Sequence, residues 1–232
     1  MKVALINGQN HRGSTYHIGR MLAEKLTDSG HISEVFLPKD MQNFCIGCFQ
    51  CMLDSESSCP HWQSMKPITA LIDSSDVLIF ISPVYAFHAS GSMKALLDHY
   101  SYRWMSHRPE EKMFMKQGVC VATAAGAGAK STIKDMRDSL TWCGVGRVYS
   151  YGEGVQAMSW SDITEKKMAK IEKKTDRFAA TIRGRDGRVR PSLKTRIIFN
   201  IMRMMQKKPW NPADGDYWKD KGWMDKKRPW KP

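Results

Sequence analysis

The feature that most limits the fold is an alternation over the first 163 residues, in which short apolar runs are separated by segments whose apolar residues recur at helical spacing. That is the sequence form of β-α-β units wound about a parallel sheet. Strands are expected at residues 3–6, 33–37, 77–81, 119–123 and 147–151. The first, third and fourth runs are apolar without alternation, as in strands covered by helices on both faces, so they belong at the centre of the sheet. Between them, Ile18, Met21, Leu22 and Leu26 fall on one helical face, with Ser14 expected to cap its start and Gly30 to stop it. A second face is Ile68, Leu71 and Ile72 behind Pro67, a third is Met93, Leu96, Leu97 and Tyr100, and a fourth is Ile133, Met136, Leu140 and Cys143, ended by Gly144. A fifth helix is expected to open at Asp162, with Glu165 in capping-box spacing, and to run through Met168, Ile171, Phe178 and Ile182. Five strands and five helices predict an open, doubly wound α/β sheet.

The chain has 232 residues and a net charge of +13. Residues 1–163 carry 15 basic and 15 acidic side chains, so the whole excess lies in residues 164–232. The body is therefore neutral, and the basicity belongs to a C-terminal extension. The division is placed at 1–182 for the domain and 183–232 for a basic, Trp-rich extension. There Ile197, Ile198, Phe199, Ile201, Met202, Met204 and Met205 lie on a helix among basic residues, followed by Trp210, Trp218, Trp223 and Trp230. Such a tail has the composition to bind an anionic membrane surface or single-stranded nucleic acid. Packing on the body or on a partner subunit is the simpler use of so many tryptophans, so no nucleic acid is expected as a partner. The longest apolar run, residues 77–87, is broken by Ser82 and Pro83 and is too short to span a bilayer, so no integral membrane contact is expected. The N-terminus turns polar at Asn7, without a signal-peptide pattern, which makes a cytoplasmic location the default expectation.

Directly after the first strand comes Gly8-Gln9-Asn10-His11-Arg12-Gly13-Ser14-Thr15, leading into the first helix. An α/β sheet places anionic ligands at this point, because the helix N-terminus offers unpaired N–H groups and a favourable dipole. Ser14 stands where a nucleotide-phosphate loop has its lysine, and Asn10 where a dinucleotide fingerprint has its middle glycine. What remains is a loop rich in hydroxyls and amides, suited to a single phosphate, although an ordinary strand-to-helix turn would read the same way.

At the end of the third strand stands Ser82-Pro83-Val84-Tyr85-Ala86-Phe87-His88-Ala89-Ser90-Gly91-Ser92-Met93-Lys94, with Asp98 beyond. This segment closely resembles the strand-end motif of the flavodoxin-like NAD(P)H-dependent FMN reductases, over roughly residues 1–155. The resemblance implies a flavodoxin-like sheet of order 2-1-3-4-5 and three loops around FMN. Gln9, Asn10, His11, Ser14 and Thr15 would hold the phosphate, while Pro83, Val84, Tyr85 and Ala86 would lie against the ring. Thr123, Ala124, Gly126 and Gly128 would close its other side. His88 is expected to be a surface loop residue, with at most a contact to ligand. The resemblance also implies a homodimer or homotetramer.

Cys45, Cys48, Cys51 and Cys59 place four of the six cysteines within 15 residues. In a cytosolic chain this spacing points to metal or redox chemistry rather than disulfides. The segment looks like the compact cysteine motif of the iron–sulfur flavoprotein branch of the same family, in which a [4Fe–4S] cluster relays electrons to FMN. Three readings stay open: a cluster that splits a hydride's two electrons into single steps, zinc, and free or redox-active thiols. Cys120 and Cys143 are expected in the core. The chain is thus expected to be an FMN-dependent oxidoreductase that takes a hydride from NAD(P)H and passes electrons to a small acceptor or redox carrier, with no catalytic side chain required. The alternative is an iron–sulfur flavoprotein that exchanges electrons with ferredoxin-like partners.

Overall fold

Five parallel strands, β1 (Val3–Asn7), β2 (Ile32–Phe36), β3 (Val77–Pro83), β4 (Gln117–Ala124) and β5 (Arg147–Gly154), form one sheet in the order 2-1-3-4-5. The structure is a computed structural model and describes residues 1–157 and 159–231. The three runs without alternation, β1, β3 and β4, occupy the centre, in register Val3↔Val77 and Val77↔Gln117. Their side chains point alternately to two cores. Ala4, Ile6, Leu78, Phe80, Cys120 and Ala122 meet the helices α2 (Trp62–Ser74), α3 (Gly91–His99) and α4 (Ala129–Trp142). Val3, Leu5, Val77, Ile79, Val119 and Val121 meet α1 (Ser14–Leu26) and α5 (Glu165–Arg183). Because both faces are covered, every residue of β1 and β4 is buried. Cys120 and Cys143 lie in the first of these cores.

Helix ends differ from the sequence expectation in ways that bear on function. Gly13 is the N-cap of α1 and contributes no side-chain hydrogen bond, so Ser14 is the first helical residue rather than the cap. That helix ends at Thr27, in extended backbone, and Gly30 lies in the short turn Ser29–His31 beyond it. Helix α2 begins five residues before Pro67, which is accommodated inside it. Thr164 caps α5 by accepting from the Lys167 N–H, whereas Asp162 closes a separate capping box with Ser159. The α5 cap expected at Asp162 thus falls to Thr164, because the Asp162 carboxylate is used on the Ser159 N–H of the preceding short turn.

The chain beyond α5 continues into α6 (Leu193–Met205) and α7 (Pro212–Asp220). Phe199, Met202, Trp218 and Trp223 pack with Met105 and Phe114, from the connection between α3 and β4, into a third core. Trp218 and Trp223 are fully buried. The Trp218 indole N–H donates to the His107 carbonyl at 2.6 Å, and the Tyr217 hydroxyl donates to the Pro109 carbonyl at 2.7 Å. These tryptophans therefore serve as packing; the polar edge of Trp218 is satisfied by backbone, whereas the buried Trp223 indole N–H has no partner among the described residues.

Candidate functional site

The C-terminal ends of β1, β3 and β4 open onto a cavity of about 710 Å³, within the size range of small-molecule and cofactor sites. The cavity occupies the switch point where the chain leaves the sheet in opposite directions, which is where doubly wound folds bind their ligands. Among the residues that the resemblance marks for FMN, Gln9, His11, Ser14, Thr15, Pro83, Val84, Tyr85, Thr123 and Ala124 line it. Asn10, Ala86, Gly126 and Gly128 lie outside its wall.

The first loop is pinned from below. Its Gly8 N–H donates to the Ile81 carbonyl at 2.8 Å, and Ser90 Oγ donates to the Gly8 carbonyl at 2.6 Å. A Cβ at position 8 would stand 2.7 Å from Ser90 Oγ and 3.1 Å from the Ile81 carbonyl oxygen, so only glycine fits between β3 and α3. The loop then delivers α1 with its first-turn N–H groups free of any side-chain cap, directed at the cavity. Helices α3, α5, α6 and α7 are capped by side chains; α2 and α4 also lack such a cap, so what sets α1 apart is that its open N-terminus lies in the wall of this cavity. An uncapped N-terminus beside Ser14 offers the donors that a phosphate monoester requires. Thr15 and Thr123 join hydroxyl to hydroxyl and tie the first loop to the third. Asn7, 1% exposed, donates to the Val35 carbonyl at 2.9 Å and leaves its own carbonyl oxygen without a partner among the described residues.

The second loop is strained. Ala86 and Phe87 take φ of 47° and 66°, a left-handed conformation that side chains disfavour. The turn is held by reciprocal backbone hydrogen bonds between Tyr85 and His88 and by the Ser131 hydroxyl, which donates to the Phe87 carbonyl. Gly128, with φ of 95°, lets the third loop close against it, because a Cβ there would meet Val84 at 2.5 Å and the Phe87 backbone at 3.0 Å. Gly128 therefore shapes the wall from behind. Tyr85 is held upright by Gln9, whose amide donates to its hydroxyl at 3.2 Å. His88 is exposed and pairs with Asp135 at 3.0 Å, as suits a loop residue.

Sequence reasoning missed the outer rim. Arg12 lies over the rings of Tyr16 and Phe36, at 5.3 and 5.5 Å, and His17 stacks on Trp160 at 4.9 Å. Burial holds the His17 imidazole below its ordinary value, a hydrogen bond that it donates to the Arg12 backbone opposes this, and the charges of Arg12 and His11 add to the lowering. Arg12 stands inside the loop that was singled out, so its place on the rim was available to inspection. Trp160 enters from beyond β5 and has no local signal.

The four cysteines line a second, smaller cavity together with His61 and His99, and no residue lines both cavities. Left-handed backbone at Gly47 and Phe49 folds this chain segment back on itself. Burial first, and then the neighbouring thiols of Cys59, Cys45 and Cys48, push the Cys51 thiol up to about 11. The other three thiols thus disfavour a thiolate at Cys51, and a cation or cluster bound there would favour it. Cys59, His61 and His99 also bring ligand atoms within 4.8 Å of one another. His99 Nδ1 donates to the Ala95 carbonyl at 2.8 Å, which leaves Nε2 as the acceptor facing His61 Nδ1 at 3.0 Å. The turn is braced from the C-terminal extension. Arg108 donates to the Cys51 and Met52 carbonyls and pairs with Asp214 at 2.7 Å, and the Asn211 amide donates to the Met52 carbonyl at 2.6 Å.

Comparison with known proteins agrees with this geometry. An iron–sulfur flavoprotein of Archaeoglobus fulgidus is 27% identical over 209 residues, covering 87% of this chain and 89% of the relative. That share exceeds what residues 1–182 could supply, so the likeness extends into the C-terminal extension. Among solved structures, an NAD(P)H:quinone oxidoreductase from Methanothermobacter marburgensis superposes with a TM-score of 0.59 at 16% identity, covering 77% of this chain and 96% of the other. An NADH:FMN oxidoreductase in its apo form gives 0.54 at 19% identity, covering 78% and 89%. These two likenesses show the flavodoxin-like fold. The match that decides the family covers residues 1–154, and by it the chain belongs to the NADPH-dependent FMN reductases and is an oxidoreductase.

Proposed function

We propose that the chain binds FMN in the cavity at the ends of β1, β3 and β4, accepts a hydride from NAD(P)H there, and passes the electrons to a small acceptor or redox carrier. The observation that carries this reading is the uncapped N-terminus of α1, set beside Ser14 in the wall of the large cavity. Bound FMN supplies the hydride-accepting chemistry. The protein's part is to bind and orient. Backbone N–H groups of α1, Ser14 and Thr15 hold the phosphate, while Arg12 adds positive charge at the rim and His11 a polar ring. Pro83, Val84 and Tyr85 form one wall for a flat ring, and Thr123 and Ala124 form the other. No side chain is required to move a proton in the hydride step, and none is assigned that role. The location is taken to be cytoplasmic, the assembly a homodimer or homotetramer, and residues 183–232 an extension to a domain of residues 1–182.

This reading is tested by titrating the protein with FMN and with riboflavin. Loss of the phosphate should weaken binding by about a hundredfold, because several charge-assisted hydrogen bonds go with it. Equal affinities would show that α1 does not hold a phosphate.

The convergence of Cys45, Cys48, Cys51 and Cys59 favours a second reading, in which those thiolates hold a [4Fe–4S] cluster and the chain acts as an iron–sulfur flavoprotein with a ferredoxin-like partner. It is supported by the Cys51 environment and by the name of the Archaeoglobus relative. Iron and acid-labile sulfide in equal, cysteine-dependent amounts in protein purified without oxygen would establish it. Zinc instead, or no metal, would replace it with one of the other two readings of these thiols.

A further inference from the structure

Helix α6 carries two apolar stripes and uses one. Thr195, Phe199, Met202 and Gln206 face the third core and are buried. On the opposite side Leu193, Ile197, Ile201 and Met204 follow one another at helical spacing, 70%, 50%, 43% and 61% exposed. The stripe is about 17 Å long at the rise of an α-helix. Met205 widens it, and Trp210 extends it, 83% exposed. Among the described residues no contact within the chain covers these side chains, which oppose the usual depletion of large contiguous apolar surface.

The charge around the stripe indicates what covers it. Residues 188–213 contain seven Lys or Arg and no Asp or Glu. Lys194, Arg196, Lys207 and Lys208 are exposed beside the stripe. The nearest acids belong to neighbouring elements. Asp138 of α4 feels the charge of Lys194 but is engaged by Lys134 and Arg137, and Asp216 and Asp225 share a cleft with Lys207 on the α7 side. A second copy docked isologously through this stripe would set like charge against like charge. A nucleic acid would match the charge and could stack one base on Trp210, but it would leave the aliphatic Leu-Ile-Ile-Met stripe, about 17 Å long and without a ring, uncovered.

We propose that the outer face of α6, with Trp210, seats the protein on the surface of an anionic phospholipid bilayer. The apolar stripe enters the headgroup boundary, the lysines meet the lipid phosphates, and the indole of Trp210 lies at the interface. The contact is peripheral, since among the described residues no helix is long and apolar enough to cross a membrane.

The test is co-sedimentation of the full chain with vesicles of phosphatidylcholine alone and of phosphatidylcholine with about a quarter phosphatidylglycerol. Binding should require the anionic lipid and fall with added salt. Because the stripe is exposed, Ile197→Asp/Ile201→Asp should keep the wild-type circular dichroism and flavin uptake yet lose about tenfold or more of vesicle binding. Lys207→Ala/Lys208→Ala, at about fivefold per lysine, should weaken binding by about twenty-five-fold. Lack of binding to anionic vesicles overturns the proposal. So does an Ile197→Asp/Ile201→Asp variant that binds vesicles like wild type, or one whose main change by light scattering is dissociation of an oligomer. Tighter capture of a fluorescent oligothymidylate than of vesicles, with the same dependence on Lys207 and Lys208, would assign the face to nucleic acid instead.

Discussion

Asp214 links the C-terminal extension to the cysteine turn, and removing its carboxylate should weaken both. The residue is 2% exposed; its two oxygens meet His107 Nδ1 at 2.8 Å and Arg108 Nη1 at 2.7 Å. Arg108, with only 12% of its side chain exposed, in turn donates to the Met52 carbonyl at 2.9 Å and to that of Cys51. Asp214→Ala strands a guanidinium that water reaches poorly, and breaking one side of a buried pair costs about 3–5 kcal/mol. The 12% and 20% exposure of the Arg108 and His107 side chains admits some solvent, which places the loss near the lower figure. At a urea dependence of about 2–3 kcal/mol per molar, the unfolding midpoint should fall by about 1 M. Asp214→Asn keeps the shape and loses the charge, so it should fall between the two. In native Asp214→Ala, alkylation of Cys51 should also accelerate, because the turn that buries it has lost its brace. A stability loss below about 1 kcal/mol together with unchanged Cys51 reactivity would refute the clamp.

Glu153, 4% exposed, is pushed upward by burial, but Lys167 at 3.1 Å and Lys170 at 3.2 Å outweigh this and hold its carboxyl below the ordinary value. Its contribution is therefore present above the unfolded-state value and is lost as pH falls through the lowered one, so Glu153→Gln should flatten the acid limb of a stability–pH curve below about pH 4.5; an unchanged acid limb would dismiss the lysine cluster as its cause. Gly8→Ala should cost about 1–3 kcal/mol of stability and weaken FMN binding, since the new Cβ meets Ser90 and the Ile81 carbonyl; a denaturation curve and a flavin titration like those of the wild type would show that the loop has room. In metal-free protein near pH 8, exposed Cys45 should be alkylated before Cys51, whose thiol is raised to about 11; mass spectrometry of the reverse order would contradict the burial of Cys51.

The sheet was legible because its signal is redundant. Three uninterrupted apolar runs had to be central strands, and each was found there, extended by one to three residues at its ends. Helix ends were less legible where two residues compete for one capping role, as Asp162 and Thr164 do ahead of α5. At the ligand cavity the loops could be named from motif residues, yet Asn10 and Gly126 carry the same turn chemistry as their neighbours and still fall outside the wall. Which side of a loop faces inward is set by the β3–α3 contacts of Gly8, not by the loop's own composition. The bracing of Cys51 through Arg108 and Asp214 spans more than 150 residues of sequence and leaves no periodic trace. The two-faced character of α6 was visible only in part. A wide apolar face can be read from spacing, but which half of it meets Phe114, Trp218 and Trp223 is decided by the tertiary fold.

The most direct test of the central claim is the absorption spectrum of the protein loaded with FMN, recorded without oxygen before and after one equivalent of NADPH. The account predicts retained flavin bands that bleach on addition and return in air. Flavin that stays bound and oxidised in the presence of both NADPH and NADH, or protein that fails to retain FMN at all, would contradict it.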